Sequence, residues 1–435
     1  MSLRVVHCVG FYFPDPVGGT EVYVRDLAAA LTGQGIESSI LASTDGPGRE
    51  YLWEDIPVVR YPANADREHF QQLVRRLAPD LFHLHSWTTG AGLEHLRHAR
   101  ELGIPSVATL HVPGPLCIRG TMLLDGRQAC DGRIDDRRCA RCWALGRGVP
   151  APAAGLVSRL PKWKPPEWIS ATAFRRIATL ASARTIAATQ AERLQELAGL
   201  CERIIVPSEW VRQALRANAV PAAKIVLNRQ AASDSFGAGG TSPPTPRDRK
   251  ALSIGFVGRL EIYKGVQTLI AAMAYVPPQT PIRLIVAGTS NDAATLRMIE
   301  DAAAKDPRIE LVGPLEHDRI PAFLATLDIL AVPSHWMETG PIVVLEAQAM
   351  GVPVMGADLG GIAERVRDGI DGWLLPFDAP RAWAAAIRNA AANPGEVALR
   401  AANSVRTRTT RDIAVEMSAL YGALQDGALQ GEADK

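Results

Sequence analysis

The stretch Ser253-Ile254-Gly255-Phe256-Val257-Gly258-Arg259-Leu260-Glu261-Ile262-Tyr263-Lys264-Gly265, followed by Val266–Met273, decides the fold class. A short apolar run reads as a buried strand. Apolar residues at helical spacing beyond a glycine loop read as a helix packed on it. The rhythm continues with strands at Arg283–Ala287, Ile309–Val312, Ile329–Val332 and Pro353–Met355. Helices fall at Ala293–Ala304, Ile320–Ala325 and Ile342–Met350. Upstream, strands are expected at Arg4–Gly10, Ser38–Ala42, Val58–Tyr61, Leu81–Leu84, Ser106–Leu110, Thr185–Ala188 and Arg203–Val206, with a first helix at Glu21–Leu31. Strands alternating with helices specify an α/β protein with parallel, doubly wound sheets.

A Gly- and Pro-studded linker at 236–250 interrupts the pattern. The expectation is two Rossmann-like domains. The first spans 1–235, carries a Cys-rich insertion at about 112–160 and is completed by a C-terminal helix at about 407–425. The second spans 251–406. Such a pair places a ligand cleft between the domains, at the carboxyl ends of both sheets. The chain has 435 residues, 47% of them apolar, and a formal charge of +1. Near-neutral charge argues against nucleic acid as a partner. No signal-peptide pattern opens the sequence and no apolar run is long enough to span a bilayer, so a cytoplasmic location is expected.

Three loops carry chemistry. In Gly258–Gly265, Gly258 permits a turn after the strand, and Arg259 and Lys264 supply a planar fork and a point charge suited to phosphate oxygens. In Glu338-Thr339-Gly340-Pro341-Ile342-Val343-Val344-Leu345-Glu346, Gly340-Pro341 reads as a helix start. That helix mouth favours an anion, and the two carboxylates match vicinal hydroxyls. In Gly18-Gly19-Thr20-Glu21, glycines between the first strand and helix allow close approach of a ligand. His111 follows a strand end, where it either binds a sugar hydroxyl or bonds the backbone; His85 has a similar place. No G-x-G-x-x-G fingerprint follows a strand, which disfavours a nicotinamide oxidoreductase.

With these residues in view, the chain resembles glycosyltransferase family 4, the retaining transferases of GT-B fold. Glu338 to Glu346 is similar to that family's E-x7-E motif, and Gly-Arg-Leu-x-x-x-Lys-Gly at 258–265 to its diphosphate clamp. Glu346-Ala-Gln-Ala-Met-Gly-Val-Pro-Val354, Gly360-Gly361-Ile362-Ala363-Glu364, Gly18-Gly19-x-Glu21 and Thr109-Leu110-His111 match further. The resemblance implies a nucleotide-sugar donor, a sugar, lipid-linked or small-molecule acceptor, and no catalytic cofactor or divalent ion. It implies that Arg259, Lys264 and Gly19 hold the diphosphate, and that Glu338 and His111 contact the sugar. Glu346 would bind the ribose. Gly340, Pro341, Ile342 and Val343 would place N–H groups under sugar and phosphate, and the turn containing Gly313 and Leu315 would meet the base. Two departures stand out. The family's Pro-x-Gly turn is replaced by Asn228-Arg229-Gln230-Ala231, and its E-x-F-G by Glu338-Thr339-Gly340-Pro341. A nucleotide-sugar epimerase and a non-catalytic sugar-binding protein are the alternatives.

Cys117, Cys130, Cys139 and Cys142, spaced C-x12-C-x8-C-x2-C, match a structural zinc site. Free thiols, a redox pair or an iron–sulfur cluster are the other readings. Arg159–Arg176 mixes Lys162, Trp163, Lys164, Trp168, Phe174, Arg175 and Arg176. That mixture suits either a peripheral contact with the inner face of a membrane or aromatic capping of the insertion.

Overall fold

The computed structural model describes residues 2–15, 18–166, 174–236, 251–290, 292–404 and 408–433. Val17, Trp168 and most of the 236–250 linker lie outside them. The chain forms two compact units, one of residues up to Arg229 together with those from Thr410, the other running from Gln230 to Thr409.

In the first unit the strands are β1 (Arg4–Val9), β2 (Glu37–Thr44), β3 (Arg49–Trp53), β4 (Ile56–Pro62), β5 (Leu81–Leu84), β6 (Ser106–Thr109), β7 (Leu123–Leu124), β8 (Gln128–Ala129), β9 (Arg203–Val206) and β10 (Ile225–Leu227). Eight of them form one sheet in the order β10-β9-β6-β5-β1-β2-β4-β3, and β7 and β8 form a separate ribbon. Every pair in the large sheet is parallel except β3 with β4. The chain winds one way from β1 to β2 and the other way from β5 onward. The switch point therefore lies between β1 and β5, where open α/β sheets hold ligands. Across that junction His7 pairs with His83.

The second unit holds β11 (Leu252–Val257), β12 (Ile282–Ala287), β13 (Ile309–Gly313), β14 (Ile329–Val332), β15 (Val354–Ala357) and β16 (Gly372–Leu375). They form one parallel sheet, β13-β12-β11-β14-β15-β16. Its switch point lies between β11 and β14. Both strands are apolar almost throughout because helices cover both faces.

Thr185–Ala188 is not a strand but part of the helix Ala183–Leu200. The run Thr-Ile-Ala-Ala is too short for its period to be read alone. Ala187, Gln190, Leu194, Leu197 and Ala198 continue it with helical spacing on a buried face. Three strands, β3, β10 and β16, add to those expected in the two sheets. β3 is a mostly exposed edge strand joined to β4 by Glu54 and Asp55, both at positive φ, as a type I′ hairpin turn requires. The last helix runs from Thr410 to Ala433 and belongs to the first unit. Its Tyr421 is fully buried, and its hydroxyl lies 2.6 Å from His83 Nδ1. No helix among the described residues is long and apolar enough to cross a membrane.

Tyr421→Phe removes that hydroxyl and strands an imidazole nitrogen away from water. The expected loss is about 1–3 kcal/mol of unfolding free energy. Urea unfolding checks it; an unchanged midpoint would show that the helix is not tied to the sheet through this bond.

Candidate active site

The loop after β11 and the loop after β14 meet at the second unit's switch point. Gly265 adopts φ +79°, and a Cβ there would lie 1.8 Å from the Pro333 carbonyl oxygen, so only glycine fits. Around this contact, the His335 N–H donates to the Tyr263 carbonyl at 2.7 Å. Thr268 Oγ1 lies 2.7 Å from His335 Nε2, and Gln267 Nε2 lies 3.4 Å from Nδ1. These bonds pin the first loop against the second.

Lys264 Nζ consequently donates to Glu338 Oε1 at 2.8 Å, and Ser334 Oγ donates to the same oxygen at 2.9 Å. The Lys264 ammonium also lies 4.9 Å from the Trp336 ring centroid. Glu338 is 7% exposed. Its main chain is held from below: the Gly361 N–H donates to the Glu338 carbonyl at 2.7 Å, and a Cβ on Gly361 would come within 2.8 Å of that oxygen. Arg259, by contrast, is exposed, makes no ion pair among the described residues, and stands 5.7 Å from the Tyr263 ring centroid. One cation is thus already paired with a carboxylate and the other is open to an incoming anion.

Ile342–Ala349 forms the expected helix, with Pro341 as its cap rather than its first residue. Glu346, only 2% exposed, is no solvated surface residue. Thr339 is buried, and Gly340 is packed so closely that a Cβ would fall 2.0 Å from Gln230 Oε1. Gln230 lies in the segment that departs from the family pattern. Its carbonyl accepts from Arg365 Nη2 at 3.2 Å. The carboxyl edge is laced further outward. The Gly258 N–H donates to Ala287 at 3.1 Å and the Gly288 N–H to Gly313 at 2.7 Å. This places Gly313 and the half-buried Leu315 on the same edge as Arg259. Gln230, Ser334, His335 and Trp336 were not singled out from sequence. The only available signal for the last three was their place between β14 and Glu338.

In the first unit, Gly18 precedes the helix Gly19–Thr32, and its N–H is already taken by Glu21 Oε2 at 2.8 Å. Glu21 therefore occupies a donor of the loop that was expected to meet an anion. His111 is buried. Its Nε2 lies 3.2 Å from His85 Nδ1, and His85 Nε2 lies 3.0 Å from His7 Nδ1. The Tyr23 ring meets His111 edge-on, 4.8 Å between centroids. Burial pushes the His7 and His111 pKa values down to about 3. Burial, reinforced by the neighbouring imidazoles, holds His83 and His85 well below the ordinary value. His111 is thus a neutral hydrogen-bonding group at neutral pH.

Among the described residues, no three of the four cysteine sulfurs lie within 4.8 Å of one another. Among the described residues, the one group of three or more potential metal-ligand side chains with atoms within 4.8 Å of one another is His7, His83 and His85. Burial, reinforced by the neighbouring Cys117 and Cys130, raises the Cys139 pKa to about 11. Cys142 instead turns toward the ribbon, where Asp125 N–H donates to its sulfur at 3.1 Å. The sulfur of Cys130 accepts from Arg138 Nη2 at 3.2 Å. Ion pairs Arg138–Asp131, Arg141–Asp125 and Arg184–Asp136 hold the insertion together.

Two family models match the chain in succession: Glycosyltransferase Family 4 over residues 17–228 and Glycosyl transferases group 1 over residues 242–408. The D-inositol 3-phosphate glycosyltransferase of Corynebacterium glutamicum is 32% identical over 212 residues, 44% of this chain and 50% of that protein. Its Corynebacterium efficiens counterpart is 35% identical over 159 residues, 33% and 37% of the two chains. This chain therefore spans half or less of those relatives. The counterpart from Arthrobacter is 25% identical over 402 residues, 84% of this chain and 80% of that protein. Among solved structures, the Anabaena protein HepE in complex with UDP superposes with a TM-score of 0.64 at 17% identity, covering 97% of this chain and 100% of that one. Sucrose-phosphate synthase from Thermosynechococcus elongatus gives 0.65 at 19%, with 98% and 100% covered. These likenesses show the fold, that of the GT-B class.

The buried imidazoles make stability depend on pH. Their folded pKa values lie below the unfolded value of about 6.5. The unfolded chain therefore binds more protons as pH falls, and stability present above pH 6.5 is lost toward the folded value of about 3. Each such histidine contributes a slope of up to about 1.4 kcal/mol per pH unit. Urea midpoints followed from pH 7 to pH 5 should fall, and His7→Phe should flatten the decline. The same slope in that variant would contradict the assignment.

Proposed function

The chain belongs to the family-4 glycosyltransferases, and from that premise we propose that it transfers a sugar from a nucleoside-diphosphate donor to an acceptor hydroxyl with retention at the anomeric carbon. The observation that carries this reading is the fixed Lys264–Glu338 pair beside the exposed Arg259 at a topological switch point. The donor diphosphate gains charge as the anomeric C–O bond breaks, and two cations already in place stabilise that charge without reorganisation. Glu346, buried one turn into the helix, is proposed to hold the ribose.

Glu338 Oε1 already accepts two hydrogen bonds, which lowers its power as a nucleophile. This favours same-face attack over double displacement through Glu338. The acceptor oxygen forms the new bond to the anomeric carbon on the face the phosphate leaves. The departing phosphate oxygen accepts the acceptor's proton. The first unit offers His111, neutral and partly fixed by His85, to a sugar hydroxyl. HepE is described in complex with UDP and with UDP-glucose. A UDP-sugar is accordingly the first donor class proposed for this chain.

A lipid-linked acceptor is favoured by a second observation. Leu156, Leu160, Trp163, Phe174 and Ile177 are exposed large apolar side chains amid exposed Arg159, Lys162, Lys164, Arg175 and Arg176. Apolar side chains beside cations suit an anionic bilayer surface. Vesicles containing anionic lipid should co-sediment the chain, and Trp163→Glu should release it. Equal recovery with uncharged vesicles would remove this reading.

Donor screening with UDP-, GDP- and ADP-sugars should yield free nucleoside diphosphate only when an acceptor is present. Arg259→Ala, at an exposed side chain, should lower kcat/KM by about 10²–10³-fold with little change in melting temperature. Lys264→Ala should lower it similarly. It should also cost up to about 3 kcal/mol of stability, because the buried Glu338 carboxylate loses the Lys264 cation. Wild-type turnover in both variants would overturn the site.

A further inference from the structure

Tyr263 and Trp336 come from the two loops that meet at the second unit's switch point. Their rings touch edge to face, 5.3 Å between centroids at an interplanar angle of 61°. Each of the two cations stands against one of these rings. The Lys264 ammonium lies 4.9 Å from the centroid of Trp336 and 6.0 Å from that of Tyr263. The Arg259 guanidinium lies 5.7 Å from the Tyr263 centroid. A cation within about 6 Å of an aromatic centroid is drawn to the negative face of the ring, and tryptophan offers the strongest face.

Trp336 Nε1 is buried and, among the described residues, has no hydrogen-bond partner. A buried indole N–H usually finds an acceptor, and leaving one unmade costs free energy. The ring is therefore kept in place by contacts other than a hydrogen bond, and the ones it makes with Tyr263 and Lys264 join the two loops. Lys264 has three N–H donors on a flexible four-carbon stem. Glu338 Oε1 takes one of them at 2.8 Å, and the side chain is still 23% exposed. One hydrogen bond fixes the distance of an ammonium from its acceptor but not its direction. An aromatic face on a second side restricts that swing.

We propose that Trp336 is a positioning residue: its indole face, braced by Tyr263, fixes the Lys264 ammonium beside Glu338 so that its remaining N–H groups are presented to the donor diphosphate. The inference rests on the proposed reading of Lys264 as a diphosphate ligand. It assigns the work to the ring face and none to the indole N–H. A plain aromatic ring should therefore serve, and an aliphatic side chain should not.

The test is a double-mutant cycle in donor kinetics, read beside the NMR signal of Lys264. Trp336→Leu should lower kcat/KM about tenfold, chiefly through kcat, because the diphosphate gains its charge in the transition state. The same change added to Lys264→Met should have no further effect, since the cation it acts through is gone. Trp336→Phe should retain most of the activity. Equal losses from Trp336→Leu in both backgrounds would show that Trp336 acts through packing alone and would overturn the proposal. So would a Trp336→Phe variant as slow as Trp336→Leu. In protein carrying lysine labelled with ¹³C at Cε, with Lys264 assigned by Lys264→Met, the indole ring current should move the Lys264 Hε protons upfield. Trp336→Leu should return them to their ordinary position. An unshifted signal in wild-type protein would equally overturn the proposal, and this readout needs no turnover. Wild-type turnover in Lys264→Met would instead sink the diphosphate reading, and the kinetic role of Trp336 with it. The shifted Hε signal separates that outcome from a failure of the Trp336–Lys264 contact itself.

Discussion

The candidate site of the second unit depends on one steric constraint: the backbone at Gly265 lies against the Pro333 carbonyl, closer than any side chain allows. The strand order makes that contact possible, because β11 and β14 are neighbours in space although two strands separate them in sequence. Once the loops touch, Lys264 falls within hydrogen-bond reach of Glu338. His335 locks the arrangement by bonding to three residues around the first loop, Tyr263, Gln267 and Thr268. Gly361 then lets the β15 side support the Glu338 backbone from beneath. The paired charges follow from backbone packing, and a displaced backbone would separate them.

Much of this was legible in the sequence. Strands covered on both faces are continuously apolar, so β11, β12, β14 and β15 stand out as short runs. The loops that follow β11 and β14 carry residue types that serve phosphate and diol chemistry. Edge strands were harder to read: β3 is largely exposed and lacks an apolar run. Thr185–Ala188 misled because a short apolar segment has the same composition in a buried strand and in the buried face of a helix. The roles of Ser334, His335 and Gln230 could not be read at all. Each depends on which residue from a distant segment arrives beside it.

The first unit repeats the logic with different chemistry. Its switch point gathers neutral imidazoles instead of fixed cations, and burial sets their protonation. In the Cys-rich insertion the Cys142 sulfur accepts from the Asp125 N–H beside the ribbon, and the Cys130 sulfur accepts from Arg138. Sequence spacing gives the reach of a ligand set.

The most direct test of the central claim is a crystal structure of the chain with an unreacted nucleoside-diphosphate sugar. The account predicts diphosphate oxygens within hydrogen-bond distance of the Arg259 guanidinium and the Lys264 ammonium, with the ribose at Glu346. A diphosphate held by a divalent ion, or bound away from both cations, would contradict it.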